Sequence, residues 1–242
     1  MVSAFLAQRL TPIVNMTTSQ GVIKFFCPGE IPLWRAETLL TKEPETIEWI
    51  DGFKGESVLW DIGANVGVYS LYAALKPHVR VLAFEPSSSN YYVLNSNIRI
   101  NQMGKKIQAL CIAFNNETKL DYLYKASTEI GGSGRFFAET TDAVGQEFAT
   151  IFTQGMIGFS IDDFIRLFNP PFPNHIKIDV DGIENKLIQG ASKTLADNRL
   201  KSILIELNSD RVEYCQEVVS NLERGGLKLL AKYPINHIYV RD

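Results

Sequence analysis

From residue 58 onward, short apolar runs alternate with longer stretches whose apolar positions recur at helical spacing. The apolar runs predict buried strands at 58–62, 79–85, 107–114, 175–180 and 202–207. The helical spacing predicts helices at 66–75, 87–101, 184–197 and 211–223. Because strands and helices alternate, the pattern predicts an α/β fold with a doubly wound, mostly parallel sheet and right-handed crossovers.

The end of the chain has a different pattern. Two further strands are predicted at 227–233 and 237–241, joined by the tight turn Pro234-Ile235-Asn236. Strands joined by so short a turn lie antiparallel to each other. We therefore predict a seven-stranded sheet in which one strand near the C-terminal edge runs against the others.

Two segments fit this alternation poorly. Residues 1–57 contain a weak strand pattern at 22–27 and a helix pattern at 43–50, where Pro44 suits the first helical position. Residues 118–168 contain hairpin-like strands, a glycine-rich loop at 131–134 and a short helix at 161–168. We predict an N-terminal extension or cap at 1–57, a main domain at 58–242, and an insertion at 118–168 within that domain.

Composition and charge narrow the classes of partner. The formal net charge is −3 and there is no run of Lys or Arg, so we expect no nucleic-acid partner. The three cysteines are far apart, which argues against a zinc cage or a disulfide framework. Residues 1–15 lack the pattern of a signal peptide, and no apolar run reaches membrane-spanning length. We expect a cytoplasmic protein with no membrane contact.

A polar, glycine-containing turn follows the strand at 58–62. It reads Asp61-Ile62-Gly63-Ala64-Asn65-Val66-Gly67 and lies where the strand gives way to a helix. In an open α/β sheet, ligands bind beyond the carboxyl ends of the strands at the switch point. The two glycines leave the backbone open to a ligand, and asparagine tolerates a left-handed conformation. Asp61 is placed to accept a hydrogen bond from a ligand amine.

A second carboxylate follows the next strand. Glu85 closes it, 18 residues after Gly67, and a carboxylate about 20 residues beyond the glycine turn commonly binds ribose hydroxyls. The spacing Gly-x-Asn-x-Gly differs from the dinucleotide pattern GxGxxG, and an acidic strand end would repel a phosphate. S-adenosylmethionine has an amine and a sulfonium but no phosphate, and fits better. Ala113, at the end of the third strand, is predicted to flank the adenine; plain core packing is the alternative.

The sequence resembles the FkbM family of methyltransferases over residues 43–208. The resemblance rests on three blocks of sequence. They are Trp60 to Ser70; Phe84-Glu85-Pro86-Ser87 with Leu94, Asn97 and Asn101 after it; and Ile176-Lys177-Ile178-Asp179-Val180-Asp181-Gly182-Ile183-Glu184 followed by Leu187, Gly190-Ala191 and Ile205-Glu206. It implies a class I methyltransferase domain, S-adenosylmethionine as the methyl donor, and O-methylation of a carbohydrate or secondary metabolite. It also implies that Asp61, Gly63, Asn65, Gly67 and Glu85 contact the donor, while the extension and the insertion shape the acceptor pocket. Asp181 departs from the family pattern, in which glutamate is usual.

Three carboxylates cluster after the strand at 175–180 and are the catalytic candidates. Asp179 and Asp181 would share one face of a strand, and close carboxylates raise the pKa of one of them, which suits a general base. Asp179 is the first choice for the base and Asp181 the second. Glu184 either joins them or stabilises the start of its own helix. Two carboxylates can also bind Mg²⁺, but no other residue demands a metal, so we predict none.

Two rival functions remain open on the sequence alone. One is an NAD-dependent oxidoreductase or epimerase, which needs a GxGxxG turn that is absent here. The other is a non-catalytic domain that binds S-adenosylmethionine, against which the acidic cluster argues. The oligomeric state and the acceptor are not encoded in any motif that we can identify.

Overall fold

A seven-stranded mixed sheet forms the centre of the protein, which is described by a computed structural model covering residues 10, 12–139, 148–208 and 211–241. In chain order, the strands of these residues are β1 (Ile13–Thr18), β2 (Gly21–Phe26), β3 (Ser57–Ile62), β4 (Val79–Phe84), β5 (Ile107–Leu110), β6 (Ala113–Phe114), β7 (Lys119–Lys125), β8 (Arg135–Phe137), β9 (Phe152–Phe159), β10 (His175–Ile178), β11 (Ser202–Glu206), β12 (Lys228–Lys232) and β13 (Asn236–Val240). The helices are α1 (Glu30–Glu37), α2 (Pro44–Asp51), α3 (Val68–Leu75), α4 (Ser88–Ile100), α5 (Ile161–Phe168), α6 (Glu184–Gln189), α7 (Ser192–Ala196) and α8 (Val212–Arg224).

The order of the central strands is β12-β13-β11-β10-β3-β4-β5. Strand β13 is antiparallel to both of its neighbours, and the other adjacent pairs are parallel. This confirms the predicted doubly wound sheet with one reversed strand near the C-terminal edge. The chain leaves β3 towards β4 and β5 and later returns on the other side as β10. The switch point therefore lies between β3 and β10, which is where such sheets bind ligands.

Each face of the sheet is covered by its own hydrophobic core. Successive side chains of β3 alternate between them, so Leu59 packs with α3 and α4, while Trp60 and Ile62 pack with α5, α6 and α8. On the second face, the rings of Trp60, Phe84 and Phe164 form an aromatic cluster with centroids 5.1–5.7 Å apart. Burial on both faces explains why the strands read as continuous apolar runs.

The predicted third strand is wrong in its second half. Strand β5 ends at Leu110, whose carbonyl accepts from the amide of Glu85 at 3.1 Å. Ala113 and Phe114 belong instead to β6, in a separate four-stranded sheet of order β6-β9-β7-β8. The two strands meet in one apolar stretch of sequence, so hydrophobicity alone could not separate them. Three of the four strands of this second sheet, β7, β8 and β9, lie in the segment predicted as an insertion.

The predicted helix at 184–197 is also wrong, because the chain forms α6 and α7 with a break at Gly190. A Cβ on Gly190 would lie 2.5 Å from the carbonyl oxygen of Asn115. The carbonyl of Gly190 accepts from the amide of Asp162 at 3.0 Å. Close approach of another backbone therefore interrupts the helix.

The N-terminal segment packs on the hydrophobic core that contains Leu59. The strand expected at 22–27 is β2, which pairs with a further strand, β1. Two asparagine side chains, one in α4 and one at its C-cap, bind this hairpin: Asn97 Oδ1 accepts from the backbone amide of Phe26 at 2.7 Å, and Asn101 Oδ1 accepts from that of Lys24 at 2.8 Å. Pro44 occupies the first turn of α2, as predicted. Residues 1–9 of the proposed extension lie outside the described residues, and the division at 57 stays a prediction.

Candidate functional site

A cavity of about 310 Å³ opens at the switch point, above the carboxyl ends of β3, β4, β10 and β11. This volume is within the range of small-molecule sites, roughly 300–1,000 Å³. The central sheet contributes most of the polar groups, and α1, the second sheet and the loop between β7 and β8 complete the wall. The lining residues with polar or charged side chains are Arg35, Lys42, Asn65, Glu85, Asn90, Ser133, Asp179, Asp181 and Glu206. The remaining wall includes Trp34, Gly63, Phe84, Ala113, Phe114, Leu123 and Phe137.

The turn after β3 forms the floor of this cavity. Gly63 has φ +85°, and a Cβ there would lie 1.8 Å from the carbonyl oxygen of Asp179. Gly63 is thus required by the neighbouring loop as well as by the conformation. Asn65 adopts φ +52°, as its residue type suggested. Gly67 does not line the cavity: it begins α3, and a Cβ there would come within 2.4 Å of the side chain of Leu94.

Glu85 and Asn65 form one hydrogen-bonded unit on the cavity wall. Glu85 Oε2 accepts from the amide of Asn65 at 2.8 Å, and Oε1 accepts from the amide of Ser87 at 2.9 Å. Oε1 also accepts from Nδ2 of Asn90 at 3.4 Å, so donors from three residues orient this carboxylate on the wall. Asn65 Oδ1 is buried and has no hydrogen-bond partner among the described residues. A ligand donor in the cavity would supply the missing hydrogen bond.

The structure places Asp61 below the cavity rather than on its wall. Its side chain is buried, and Oδ2 accepts from the Ser70 hydroxyl at 2.5 Å. Burial raises the pKa of Asp61, although the charge of Lys177 opposes this effect. Direct contact of Asp61 with a ligand amine is therefore not indicated by the described geometry. Ala113 does line the cavity, but from β6 rather than from the end of β5.

A buried lysine holds the acidic cluster together. Lys177 is 1% exposed, and its Nζ donates to Asp179 Oδ2 at 2.6 Å. The same Nζ lies 4.0 Å from Glu43 Oε2, and Glu43 in turn pairs with Lys42 at 2.5 Å. Burial lowers the pKa of Lys177, but Asp179, Glu43 and Asp61 outweigh it and the net pKa is raised. No role was predicted for Lys177, because a lysine within an apolar strand carries no local sign of its partners.

The expected arrangement of Asp179 and Asp181 is wrong in two respects. Strand β10 ends at Ile178, so neither carboxylate lies in a strand. Burial raises the pKa of Asp179, but the charge and hydrogen bond of Lys177 outweigh burial and hold the pKa below its usual value. The pKa of Asp179 is therefore lowered rather than raised. The argument that a raised pKa makes Asp179 the general base no longer applies. Both residues line the cavity.

The loop between β7 and β8 closes one side of the cavity. Asp181 Oδ2 accepts from the amide of Gly134 at 2.9 Å, and Asn90 Oδ1 accepts from that of Gly131 at 2.7 Å. The carbonyl of Gly131 accepts from Arg35 Nε at 2.6 Å. Strands β7 and β8 pair antiparallel, so the glycine-rich segment at 131–134 is a hairpin loop. The backbone of this loop is thus hydrogen-bonded to three cavity residues, and a Cβ on Gly131 would lie 3.1 Å from the Pro32 side chain of α1.

Glu184 points away from the cavity, in agreement with the helix-start alternative. It is buried in the first turn of α6, and Oε1 accepts from the amide of Gly182 at 3.1 Å. Its other oxygen accepts from the hydroxyl of Tyr214 on α8. Burial raises the pKa of Glu184 to about 7, against the hydrogen bond from Tyr214. The contacts indicate a structural role that joins α6 to α8.

We expect Glu184→Gln to become more stable relative to the wild type as pH rises. The folded protein binds the Glu184 proton more tightly than the unfolded chain, so its contribution to stability is complete below about pH 4.5 and lost by about pH 7. The difference in unfolding free energy should therefore change by roughly 3 kcal/mol across this window. Urea titrations at several pH values measure it, with exposed Glu48→Gln as the control. A difference that does not vary with pH would contradict the shifted pKa.

Several groups that line the cavity had no predicted role. Trp34 and Arg35 of α1, with Lys42, enter from the N-terminal segment, and Glu206 enters from the end of β11. Among the described residues, no group of three or more His, Cys, Asp or Glu side chains is arranged to hold a metal ion. Within the same residues, no helix has both the length and the apolar character needed to cross a membrane.

The strand order and the cavity at the switch point are those of a class I methyltransferase. A solved structure with this fold, a candidate rRNA methylase of Clostridium thermocellum, superposes with a TM-score of 0.50 at 9% identity, covering 82% of this chain and 96% of that one. The Methyltransferase FkbM domain matches residues 61–229. The chain belongs to this family, which confirms the resemblance.

Two characterised relatives are methyltransferases. The hexuronic acid methyltransferase AglP of Haloferax volcanii is 22% identical over 180 residues, which cover 73% of this chain and 66% of AglP. Methyltransferase sdnD of Sordaria araneosa is 43% identical over 51 residues, which cover 21% of this chain and 20% of sdnD. The matches span less than two thirds of either relative.

Proposed function

We propose that the protein transfers the methyl group of S-adenosylmethionine to a hydroxyl of a sugar or secondary metabolite. The observation that supports it most directly is the pair Asn65 and Glu85 on the cavity wall at the switch point. Glu85 offers acceptors for ribose hydroxyls, and the unpartnered Oδ1 of Asn65 offers one for a ligand N–H or O–H. When bound, S-adenosylmethionine supplies an electrophilic methyl group on a sulfonium.

The residues of the site fit this donor better than a dinucleotide. Glu85, Asp179 and Asp181 line the cavity, and carboxylates favour an amine and a sulfonium while they repel phosphates. Gly63 keeps the floor free of a side chain, and Ala113 and Phe114 supply an apolar surface for an adenine. Membership of a methyltransferase family also favours methyl transfer over the NAD-dependent alternative.

The acceptor half of the cavity is assigned to the side lined by Trp34, Arg35 and Lys42. An aromatic ring and two cations are suited to a sugar that carries a carboxylate. The name of the relative AglP, a hexuronic acid methyltransferase, supports the same acceptor class. The N-terminal segment and the insertion both contribute residues to the cavity, which supports the proposal that they shape the acceptor pocket. The expectation that nucleic acid is not the acceptor stays a prediction.

We expect the protein to bind S-adenosylmethionine but not NAD, and Glu85→Gln to weaken that binding by about 10- to 100-fold. The reason is that a hydrogen bond to a charged group contributes roughly 1.5–3 kcal/mol. Isothermal calorimetry measures both ligands, and the exposed Glu56→Gln is the matched control. Unchanged affinity in Glu85→Gln would remove Glu85 from the donor site, whereas binding of NAD alone would overturn the proposed function.

Turnover distinguishes an enzyme from a domain that only binds the donor. Methyl glucuronide and methyl glucoside serve as probe acceptors, and the formation of S-adenosylhomocysteine is measured together with the methylated sugar. We expect both products in equal amounts, with methyl glucuronide preferred because of Arg35 and Lys42. Donor binding without either product would favour the non-catalytic alternative.

A further inference from the structure

Glu206 lines the cavity, and the family resemblance, which includes Ile205-Glu206, assigns no role to it. It is the last residue of β11, the strand next to β10, and the register pairs Ile178 with Ile205. Glu206 and Asp179 therefore follow adjacent positions on neighbouring parallel strands, and both line the cavity. Lys42, which belongs to the proposed acceptor side, lines the same cavity and is one of the charges that act on Glu206.

The other carboxylates of the cavity are already engaged. Asp179 is paired with Lys177, Asp181 accepts from the amide of Gly134, and Glu85 accepts from two backbone amides. Among the residues that the structure describes, the side chain of Glu206 has neither a hydrogen bond nor an ion pair. A general base needs a lone pair that is free to receive a proton. Glu206 meets this requirement better than the three engaged groups.

The electrostatic surroundings of Glu206 also suit a base. The charged groups around it are Asp179 and Lys177 on β10, and Lys42 and Glu43 between α1 and α2. Burial, followed by the charge of Asp179 and then by that of Glu43, raises the pKa of Glu206 to about 8, against the two lysines. A base of this pKa is partly ionised near neutral pH and still binds a proton well. Asp179, held ionised by Lys177, is a weaker proton acceptor.

We propose that Glu206 is the general base of the methyl transfer, a catalytic role that rests on the function proposed above. The proton of the acceptor hydroxyl passes to Glu206 while the oxygen forms its bond to the methyl carbon. The carbon–sulfur bond of the donor breaks, and its electron pair stays on sulfur as a neutral thioether. Asp179 then acts as a positioning residue, since its fixed charge keeps the affinity of Glu206 for the proton high.

The test compares Glu206→Gln with the wild type, using S-adenosylmethionine and methyl glucuronide. We expect the variant to bind the donor within about 3-fold of the wild type and to lose about 10²- to 10⁴-fold in turnover. Exposed Glu213→Gln on α8 is the control and should keep full activity. Glu206→Asp keeps the carboxylate and should retain more activity than Glu206→Gln.

The pH profile separates the base from its neighbour. Wild-type turnover should rise with pH through a transition near pH 8, because Glu206 must lose its proton to act. In Asp179→Asn the transition should move to lower pH, because the charge that raises the pKa is removed. Infrared titration of the free wild-type protein should show a carboxyl band that titrates near pH 8. This titration should be missing in Glu206→Gln.

The outcomes separate the two proposals. A wild-type protein that forms no S-adenosylhomocysteine from either sugar probe would remove the enzymatic function and the role of Glu206 together. A wild type that turns over, with Glu206→Gln equally active or with the infrared transition unchanged in that variant, would overturn the role of Glu206 alone. In that case the function proposed for the site would stand.

Discussion

Replacement of Lys177 by Met is expected to lower the free energy of unfolding by about 3–5 kcal/mol. Lys177 is 1% exposed and is shared by Asp179 at 2.6 Å and Glu43 at 4.0 Å. Methionine fills a similar volume but provides no charge. The buried carboxylates Glu43 and Asp61 would then lack their neighbouring cation, and removing one partner of a buried charge cluster is strongly destabilising.

Two further variants make the Lys177 result specific. Exposed Lys201 donates to the carbonyl of Asn198 at 2.7 Å, and Lys201→Met should change stability by no more than about 0.5 kcal/mol. Adding Asp179→Asn to Lys177→Met should restore part of the loss, because one uncompensated charge is removed. Urea unfolding monitored by circular dichroism measures the series. Equal stability of the two methionine variants would contradict a structural need for the buried cation.

Replacement of Gly63 by Ala is expected to cost about 2–5 kcal/mol and to weaken S-adenosylmethionine binding by more than about 10-fold. The new Cβ would lie 1.8 Å from the carbonyl oxygen of Asp179. Because the obstacle is backbone and not a mobile side chain, the loop after β10 must move. That movement displaces Asp179 and the floor of the cavity together.

Gly55→Ala is the matched control for this effect. Gly55 also has a positive φ, +63°, but a Cβ there would have no atom within 4 Å. It should cost only the backbone strain, about 1–2 kcal/mol, and leave donor binding unchanged. The difference between the two variants isolates the contact with Asp179. Equal effects would mean that conformation alone, rather than crowding, explains the glycine at 63.

The predictions that succeeded were those encoded within single short segments. Strand β3 and its turn were recognisable because burial on both faces requires an apolar run, while the left-handed turn requires residues such as Gly63 and Asn65. The reversed strand β13 followed from the short turn before it. In each case the constraint acts between residues that are close in the chain.

The predictions that were wrong concern places where a segment distant in the chain determines the local structure. The break between α6 and α7 depends on the backbone of Asn115, and β6 depends on pairing with β9, 45 residues away at Gly158. Neither neighbour leaves a mark on the local pattern of apolar residues. Asp61 was expected on the cavity wall, but the hydroxyl of Ser70 binds it beneath the floor.

The sequence by itself determined the sheet, its switch point, the methyltransferase family and the position of Glu85. These follow from apolar periodicity and from turn residues, which act locally. Only the tertiary structure decided which carboxylates are free, because the ion pair of Asp179 with Lys177 and the open position of Glu206 depend on how separate strands are placed side by side. A carboxylate has its pKa set by neighbours in space, and those neighbours come from every part of the chain.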